Sequence, residues 1–330
     1  MSVQQIHSFN IKNLSAKKCF ILKFIILIKL NISSESELTL KYMKNFHKAG
    51  LFIFALIQLF YFPNKAWTEP IPVFVSIAPQ KYFVERIGRE QVKVEVMMNS
   101  GESPATFNPN PRKMSLLSKT ELYFSIGVPF ETTWIDRVQS IYPELKIIPL
   151  HDKTHKNTIQ EPTNHHSHYT GDPHIWTSPA KVKVIAQKIK DTLAHAIPQK
   201  EKYFKANLQA FSKDLDVLDK DIRNILTKNK KNRFMVFHPA WSYFAKDYDL
   251  QQIAIEHEGK KPGARSLNKI IAQGKSLGVK VIFVQKQFSL SIAENLAKMI
   301  GATTYEMDPL AEDYLENMRR TASAISGALK

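Results

Sequence analysis

The chain has 330 residues, of which 44% are hydrophobic and 11% aromatic, and this composition provides for a packed core and excludes a disordered chain. The formal charge is +16, but residues 1–68 contain nine Lys and two Glu and so carry +7 of it, which leaves +9 on residues 69–330. The basic side chains of the longer part are interspersed with acids, so no nucleic acid is expected as a partner.

The N-terminal segment has the layout of a secretory signal. An apolar run that two lysines interrupt is followed by a basic start at Met43, an apolar stretch without charged residues from Ala49 to Phe62 and a polar exit. This run is short for a membrane span. We expect translation to start at Met43, residues 1–42 to be an upstream extension, and cleavage to fall within residues 64–70. An uncleaved anchor is the alternative.

The chain has a single cysteine, Cys19, which lies in this N-terminal segment. Residues 69–330 therefore offer no disulfide, no thiolate metal site and no cysteine nucleophile. Residues 1–68 are predicted to be the extension plus the signal, outside the folded lobes.

From residue 71 onwards, short β-rich runs alternate with amphipathic stretches. The first half contains the strand-like runs "PVFVSI", "VKVEVMM" and "ELYFSIG" and the helical runs "PQKYFVERIG" and "PRKMSLLSKT". Two consecutive helices are predicted at "SPAKVKVIAQKIKDTLAHAI" and "QKEKYFKANLQAFSKDLDVLDKDIRNILTKN". The alternation then resumes through "RFMVFH", "QQIAIE", "LNKIIAQGKSLG", "VKVIFVQ", "SIAENLAKMIG" and "TTYEMD".

This order predicts an α/β protein with two lobes, each a parallel sheet covered by helices, joined by one long rigid helix. The N-terminal lobe is expected over residues 69–177 and the C-terminal lobe over residues 232–330. Residues 178–231 are expected to be helical and to include the connecting helix.

Three polar residues lie at predicted strand ends or in the loops after them. His238 follows "RFMVF", Asp308 follows "TTYEM", and His174 lies in the turn "DPHIW". Ligands bind open α/β sheets beyond the carboxyl ends of their strands, and two imidazoles with a carboxylate suit Zn²⁺ or another divalent transition metal. Taken singly, each residue is also compatible with a structural role, such as a helix N-cap for Asp308.

A second group of histidines lies in a polar stretch with almost no apolar residues, over residues 151–168. Its members are His151, His155, His165, His166 and His168. Such a stretch predicts a flexible loop that gathers metal loosely, because each residue that engages an ion loses conformational entropy. A solvated linker that is rich in histidine is the alternative.

From residue 72 to the C-terminus the chain resembles the zinc/manganese solute-binding proteins of ABC importers. The matching stretches are "GESPATFNPNPRKM", "SIGVPFE", "DPHIWTSP", "FHPAWSYFAKDYDL", "VIFVQKQFS" and "MDPLAEDY". A His-rich loop before the Asp-Pro-His turn is typical of the zinc members. The resemblance implies a periplasmic, monomeric protein, not an enzyme, that binds Zn²⁺ (alternatively Mn²⁺) between its lobes and delivers it to an ABC permease in the inner membrane.

The resemblance also implies a set of ligands. The family usually holds its metal with three histidines and a carboxylate, of which three fall on His174, His238 and Asp308 of this chain. Where the first histidine is usual, this chain has Ala105, whose methyl group cannot bind a metal. The fourth position is left to water, a loop histidine, or a carboxylate of "IEHEGKKP", among which Glu256 is favoured over Glu258. Affinity should fall on acidification, because only neutral imidazole (ordinary pKa about 6.5) binds a metal.

Two other functions stay open at this point. A zinc hydrolase would use an open coordination position and would turn over a test ester or peptide. A binding protein that has lost its metal would carry an organic ligand or act as an adhesin, and Ala105 is its main support.

Overall fold

The apolar runs form two parallel sheets in the computed structural model, which describes residues 69–151, 171–227, 229, 231–256 and 263–330. The first sheet contains β1 (Ile71–Val75), β2 (Val92–Val96), β3 (Leu122–Ser125) and β4 (Lys146–Pro149). The second contains β5 (Arg233–Val236), β6 (Gln251–Ala254), β7 (Val281–Val284) and β8 (Thr303–Glu306). The strand orders are β2-β1-β3-β4 and β6-β5-β7-β8, so the two sheets have the same topology.

Helices connect and cover these strands. In the first half they are α1 (Ala78–Gly88), α2 (Pro111–Leu117), α3 (Glu131–Ile141), α4 (Pro179–Ala196) and α5 (Glu201–Leu226). In the second half they are α6 (Ser242–Asp247), α7 (Ala264–Ser276), α8 (Leu290–Ile300) and α9 (Tyr314–Ala328). Local chemistry fixes the start of α4, where the Ser178 side chain accepts a hydrogen bond from the Lys181 amide and Pro179 takes the first helical position.

The long connecting helix is α5, whose 26 residues span about 39 Å at 1.5 Å per residue. Its apolar side chains recur at helical spacing and are buried: Phe204, Leu208, Phe211, Leu215, Leu218, Ile222 and Leu226. The helix packs against α1, α4 and α9. Ion pairs tie it to both halves, from Arg86 of α1 to Asp214 and from Arg319 of α9 to Asp221 at 3.0 Å. A helix held on both sides is a stiff connector.

The predicted fold class is confirmed, although several elements were missed. Among the elements of the structure, β4, α3, α6 and α9 were absent from the prediction. Strand β4 is only four residues long, begins with Lys146 and ends in Pro149, while α9 buries small and polar side chains such as Asn317, Thr321 and Ser326, which blurs its pattern. The connecting helix is also shorter than the predicted run of residues 199–229, because residues Pro198–Lys200 form a separate 3₁₀ turn and the helix ends at Leu226.

The predicted lobe boundaries stay predictions. The predicted signal and most of the His-rich loop, residues 1–68 and 152–168, lie outside the described residues. Within the ranges that the structure describes, no helix has both the length and the apolar character needed to cross a membrane.

Candidate metal-binding site

His174 is held by the short turn that precedes α4. The Asp172 carboxylate accepts hydrogen bonds from the His174 backbone N–H at 3.0 Å and from its Nδ1 at 2.6 Å. Burial acts to raise the pKa of Asp172, but the hydrogen bonds and charge of His174 outweigh it and lower the pKa below its ordinary value. An ionised carboxylate only accepts, so Nδ1 is the donor, and in a neutral imidazole with this tautomer the lone pair is on Nε2. That is the form of imidazole that binds a metal.

His238 has the same arrangement in the second lobe. It lies two residues beyond β5, and its Nδ1 lies 3.0 Å from an oxygen of Glu256, which lies two residues beyond the neighbouring strand β6. Glu256 is 4% exposed, and its backbone N–H donates to the carbonyl of Phe237 at 2.8 Å. The parallel pairing of β5 and β6 therefore brings this carboxylate to the Nδ1 of this imidazole.

The two imidazoles meet. Their ring centroids are 5.3 Å apart and the rings are nearly perpendicular, although His174 precedes α4 and His238 follows β5. The Trp176 ring lies 5.1 Å from His174, and its indole N–H donates to the Pro309 carbonyl at 2.8 Å. The turn that carries His174 is thus bonded to the residue next to Asp308.

Asp308 lies beside a small cavity that opens to solvent. The cavity is lined by Asp308 and Leu310 from the segment after β8 and, from the first lobe, by Ile77, Ala78, Met98, Asn99, Ser100 and Gly101. One carboxylate oxygen of Asp308 accepts from the Leu310 backbone N–H at 2.8 Å. The Asn317 side chain donates to the backbone carbonyl of Asp308 at 2.7 Å, which fixes this segment against α9.

The structure does not bring all the predicted ligands into one coordination sphere. Across the described ranges, no three His, Cys, Asp or Glu side chains are gathered closely enough to hold one ion. His174 and His238 are neighbours, and Asp308 is connected to them through Pro309 and Trp176. The assignment of all three to one ion stays a prediction, as does Glu256 as the fourth ligand, since its described contact is with the Nδ1 of His238.

The other predicted residues lie apart from the two imidazoles or outside the described ranges. His151 lies two residues beyond β4, and its ring packs against Gly127, where an added Cβ would lie 3.2 Å from the imidazole. Ala105 is exposed, and its backbone N–H donates to the Ser103 hydroxyl at 3.4 Å. The remaining loop histidines and the second candidate acid fall outside the described residues: His155, His165, His166, His168 and Glu258.

Three residues around the imidazoles were missed by the sequence reasoning. Asp172 is one of them, and an aspartate two residues before a histidine, with proline between, was a usable signal. Phe288 stacks on the His238 ring with centroids 5.1 Å apart, and the Gln285 side chain donates to the His238 carbonyl at 3.0 Å. Both follow β7, which no pattern in the sequence connects to His238.

A buried carboxylate in the first lobe was also missed. Glu131, the first residue of α3, is 3% exposed and accepts hydrogen bonds from the backbone N–H groups of Ile126 and Gly127 at 2.9 and 2.7 Å. It also accepts from the Ser76 hydroxyl, which lies 2.8 Å from the Tyr123 hydroxyl. Burial raises the pKa of Glu131 to about 7, although these hydrogen bonds act in the opposite direction.

A family model decides what the chain is related to. The model of ZnuA, the periplasmic component A of a zinc-uptake complex, matches residues 73–328. The chain belongs to this family.

Individual relatives agree with this assignment. The zinc-binding protein AdcA of Streptococcus pyogenes serotype M3 is 26% identical over 285 residues, covering 77% of this chain and 55% of AdcA, so the chain spans about half the length of that relative. A putative metal-binding protein of Treponema pallidum is 27% identical over 275 residues, covering 78% of this chain and 87% of that protein. A crystal structure of ZnuA is 36% identical with a TM-score of 0.72, covering 79% of this chain and all of that one.

Proposed function

We propose that the protein is the zinc-binding component of an ABC importer, which captures Zn²⁺ between its lobes and delivers it to a membrane permease. The observation that carries this proposal is the pair of imidazoles, His174 and His238, which lie edge to face with a carboxylate on the Nδ1 of each. A histidine that binds a metal through one nitrogen commonly donates its other N–H to a carboxylate, which fixes the ring and raises its basicity.

The proposed ligands of the ion are the Nε2 atoms of His174 and His238 and the carboxylate of Asp308. For Asp308 to join them, the ion must lie between the imidazoles and the cavity that Asp308 borders, so a small closing movement is expected on binding. The fourth position would be filled by water, by a loop histidine or by Glu256. Two imidazoles with few carboxylates suit Zn²⁺ better than Mn²⁺.

The remaining parts of the proposal follow from the family. Zinc-binding relatives and a zinc-uptake family favour neither a hydrolase nor a protein without metal. We infer a periplasmic location, a monomeric state and an inner-membrane permease as partner. The loop of residues 151–168 is proposed to gather additional zinc ions loosely.

Equilibrium titration of residues 69–330 with Zn²⁺, Mn²⁺ and Cu²⁺ tests the proposal. We expect one tight Zn²⁺ site that is lost in His174→Ala and in Asp308→Ala. Deletion of residues 152–168 should lower the number of zinc ions bound and leave the tight site intact. Loss of the tight site on this deletion would show that the loop supplies an essential ligand.

The titration also separates the alternatives. A wild-type protein without any tight metal site contradicts the proposal and supports a function without metal. Turnover of a test ester that disappears in His174→Ala would support the hydrolase instead.

A further inference from the structure

The loop between β7 and α8 contacts His238 on the side opposite β6, the strand that leads to Glu256. Gln285 follows β7 directly, is 3% exposed and donates from its side chain to the His238 carbonyl at 3.0 Å. The Phe288 backbone N–H donates to the Gln285 carbonyl at 3.1 Å, which closes the loop into a turn. This turn places the Phe288 ring on the face of the His238 imidazole, with an angle of 25° between the two ring planes.

These contacts restrict the imidazole at three points. The carboxylate of Glu256 holds Nδ1, Gln285 holds the backbone, and Phe288 covers one face of the ring. Phe288 is itself supported by the ring of Phe237, with centroids 5.4 Å apart. For the imidazole to turn about its Cβ–Cγ bond, the bond to Glu256 must break and the Phe288 ring must move.

We propose that Phe288 is a positioning residue that keeps the His238 imidazole turned toward the metal and thereby slows the release of bound zinc. The inference rests on the proposed function. An ion held by several ligands dissociates when the bonds to these ligands break one after another. A ligand that cannot rotate away from the ion re-forms its bond before the next bond breaks. A ligand whose rotamer is locked by packing holds its productive geometry, whereas a loosely supported ligand does not. The apolar ring also limits the access of water to the ligand.

Release rates measure this role directly. Zinc-loaded protein is mixed with excess chelator, and the dissociation rate is compared between wild type, Phe288→Leu and Phe288→Tyr. Loss of the ring in the leucine variant should speed release about tenfold, which is the lower end of the effect seen when residues that support metal ligands are mutated. The tyrosine variant keeps a ring and should stay within about twofold of wild type. Tyr305→Leu is the control. The Tyr305 ring lies in the same lobe but contacts Phe283, not His238, so its removal should leave the rate unchanged.

Two further measurements separate this role from a purely structural one. The melting temperature of the metal-free protein should be nearly the same in wild type and Phe288→Leu, and the visible spectrum of the Co²⁺-loaded protein should change only in the leucine variant. A wild type that binds no zinc tightly would overturn the proposed function. If the wild type binds zinc and Phe288→Leu releases it at the wild-type rate, the role of Phe288 is wrong while the proposed function stands.

Discussion

The two lobes share one strand order and use it differently. At the position two residues beyond each strand, the first lobe has Ile77, Met98, Gly127 and His151, whereas the second has His238, Glu256, Lys286 and Asp308. In sheets of this kind the carboxyl ends of the strands are where ligands bind. Topology therefore offers the same edge twice. At these positions each lobe has one imidazole, and the second lobe alone adds two carboxylates.

In the first lobe, the carboxylate nearest this edge is buried. Its buried carboxylate, Glu131, is engaged by Ser76 and by two backbone N–H groups, and the side chains it offers to the cavity beside Asp308 are Ile77, Ala78 and Met98 along with the polar turn after them. Its proposed metal ligand, His174, comes from the turn before α4 rather than from a strand end. The first lobe thus contributes mainly to the lining of the cavity, and the second contributes most of the proposed metal ligands.

The largest expected effect comes from a substitution of His238, compared with a substitution at the matching position of the first lobe. His238→Ala should weaken zinc binding by well over about a hundredfold, because loss of a mere partner of a metal ligand already costs about 10- to 100-fold. Ile77→Val, at the matching position of the first lobe, should change the affinity by less than about threefold, because a conservative core substitution alters packing only slightly. Titration with zinc against a competing chelator measures both. Equal losses in the two variants would contradict the division of labour between the lobes.

The next effect concerns the buried carboxylate of the first lobe. The pKa of Glu131 lies near its ordinary value of 4.5 in the unfolded chain and at about 7 in the folded one. Between these values the folded state binds more protons, so the free energy of unfolding should fall as the pH rises from about 5 to about 8. The full difference corresponds to about 3 kcal/mol.

Urea denaturation of wild type and Glu131→Gln at the two pH values tests this. The glutamine variant cannot ionise, so the difference in stability between wild type and variant should shift by about 2 to 3 kcal/mol between the two pH values, in favour of wild type at the lower one. A difference that does not depend on pH would show that the hydrogen bonds from Ser76, Ile126 and Gly127 offset the effect of burial.

The regions of the molecule also differ in how much of their structure could be predicted from the sequence. Strands such as β1 and β5 and the connecting helix α5 have regular apolar patterns, so the two-lobed fold was predictable from the residues themselves. His174, His238 and Asp308 were found because imidazoles and carboxylates at strand ends are recognisable. Glu131 was not, because its partners are backbone N–H groups of a turn, which leave no trace in the sequence. The pairing of Glu256 with His238 depends on the order of β5 and β6, which only the structure gives.

A smaller effect should follow when Glu256 is changed. Glu256→Ala removes the acceptor at the Nδ1 of His238 and should lower zinc affinity about 10- to 100-fold. Glu256→Gln keeps an oxygen acceptor without the charge and should lower it less. Asp172→Asn is the matched change at His174. A loss in Glu256→Gln as large as that in His238→Ala would show that Glu256 binds the metal itself and that its contact with His238 is secondary.

The smallest effect should come from the bond that joins the His174 turn to the second lobe. Trp176→Phe removes the indole N–H that donates to the Pro309 carbonyl and keeps most of the buried ring. A hydrogen bond of this kind contributes about 1 kcal/mol, so the free energy of unfolding should fall by roughly that amount. Zinc affinity should fall by a few-fold as well, because the same bond positions Asp308 relative to His174. If stability falls and affinity does not, Asp308 reaches the ion independently of this bond, and the donors of the second lobe act without help from the first.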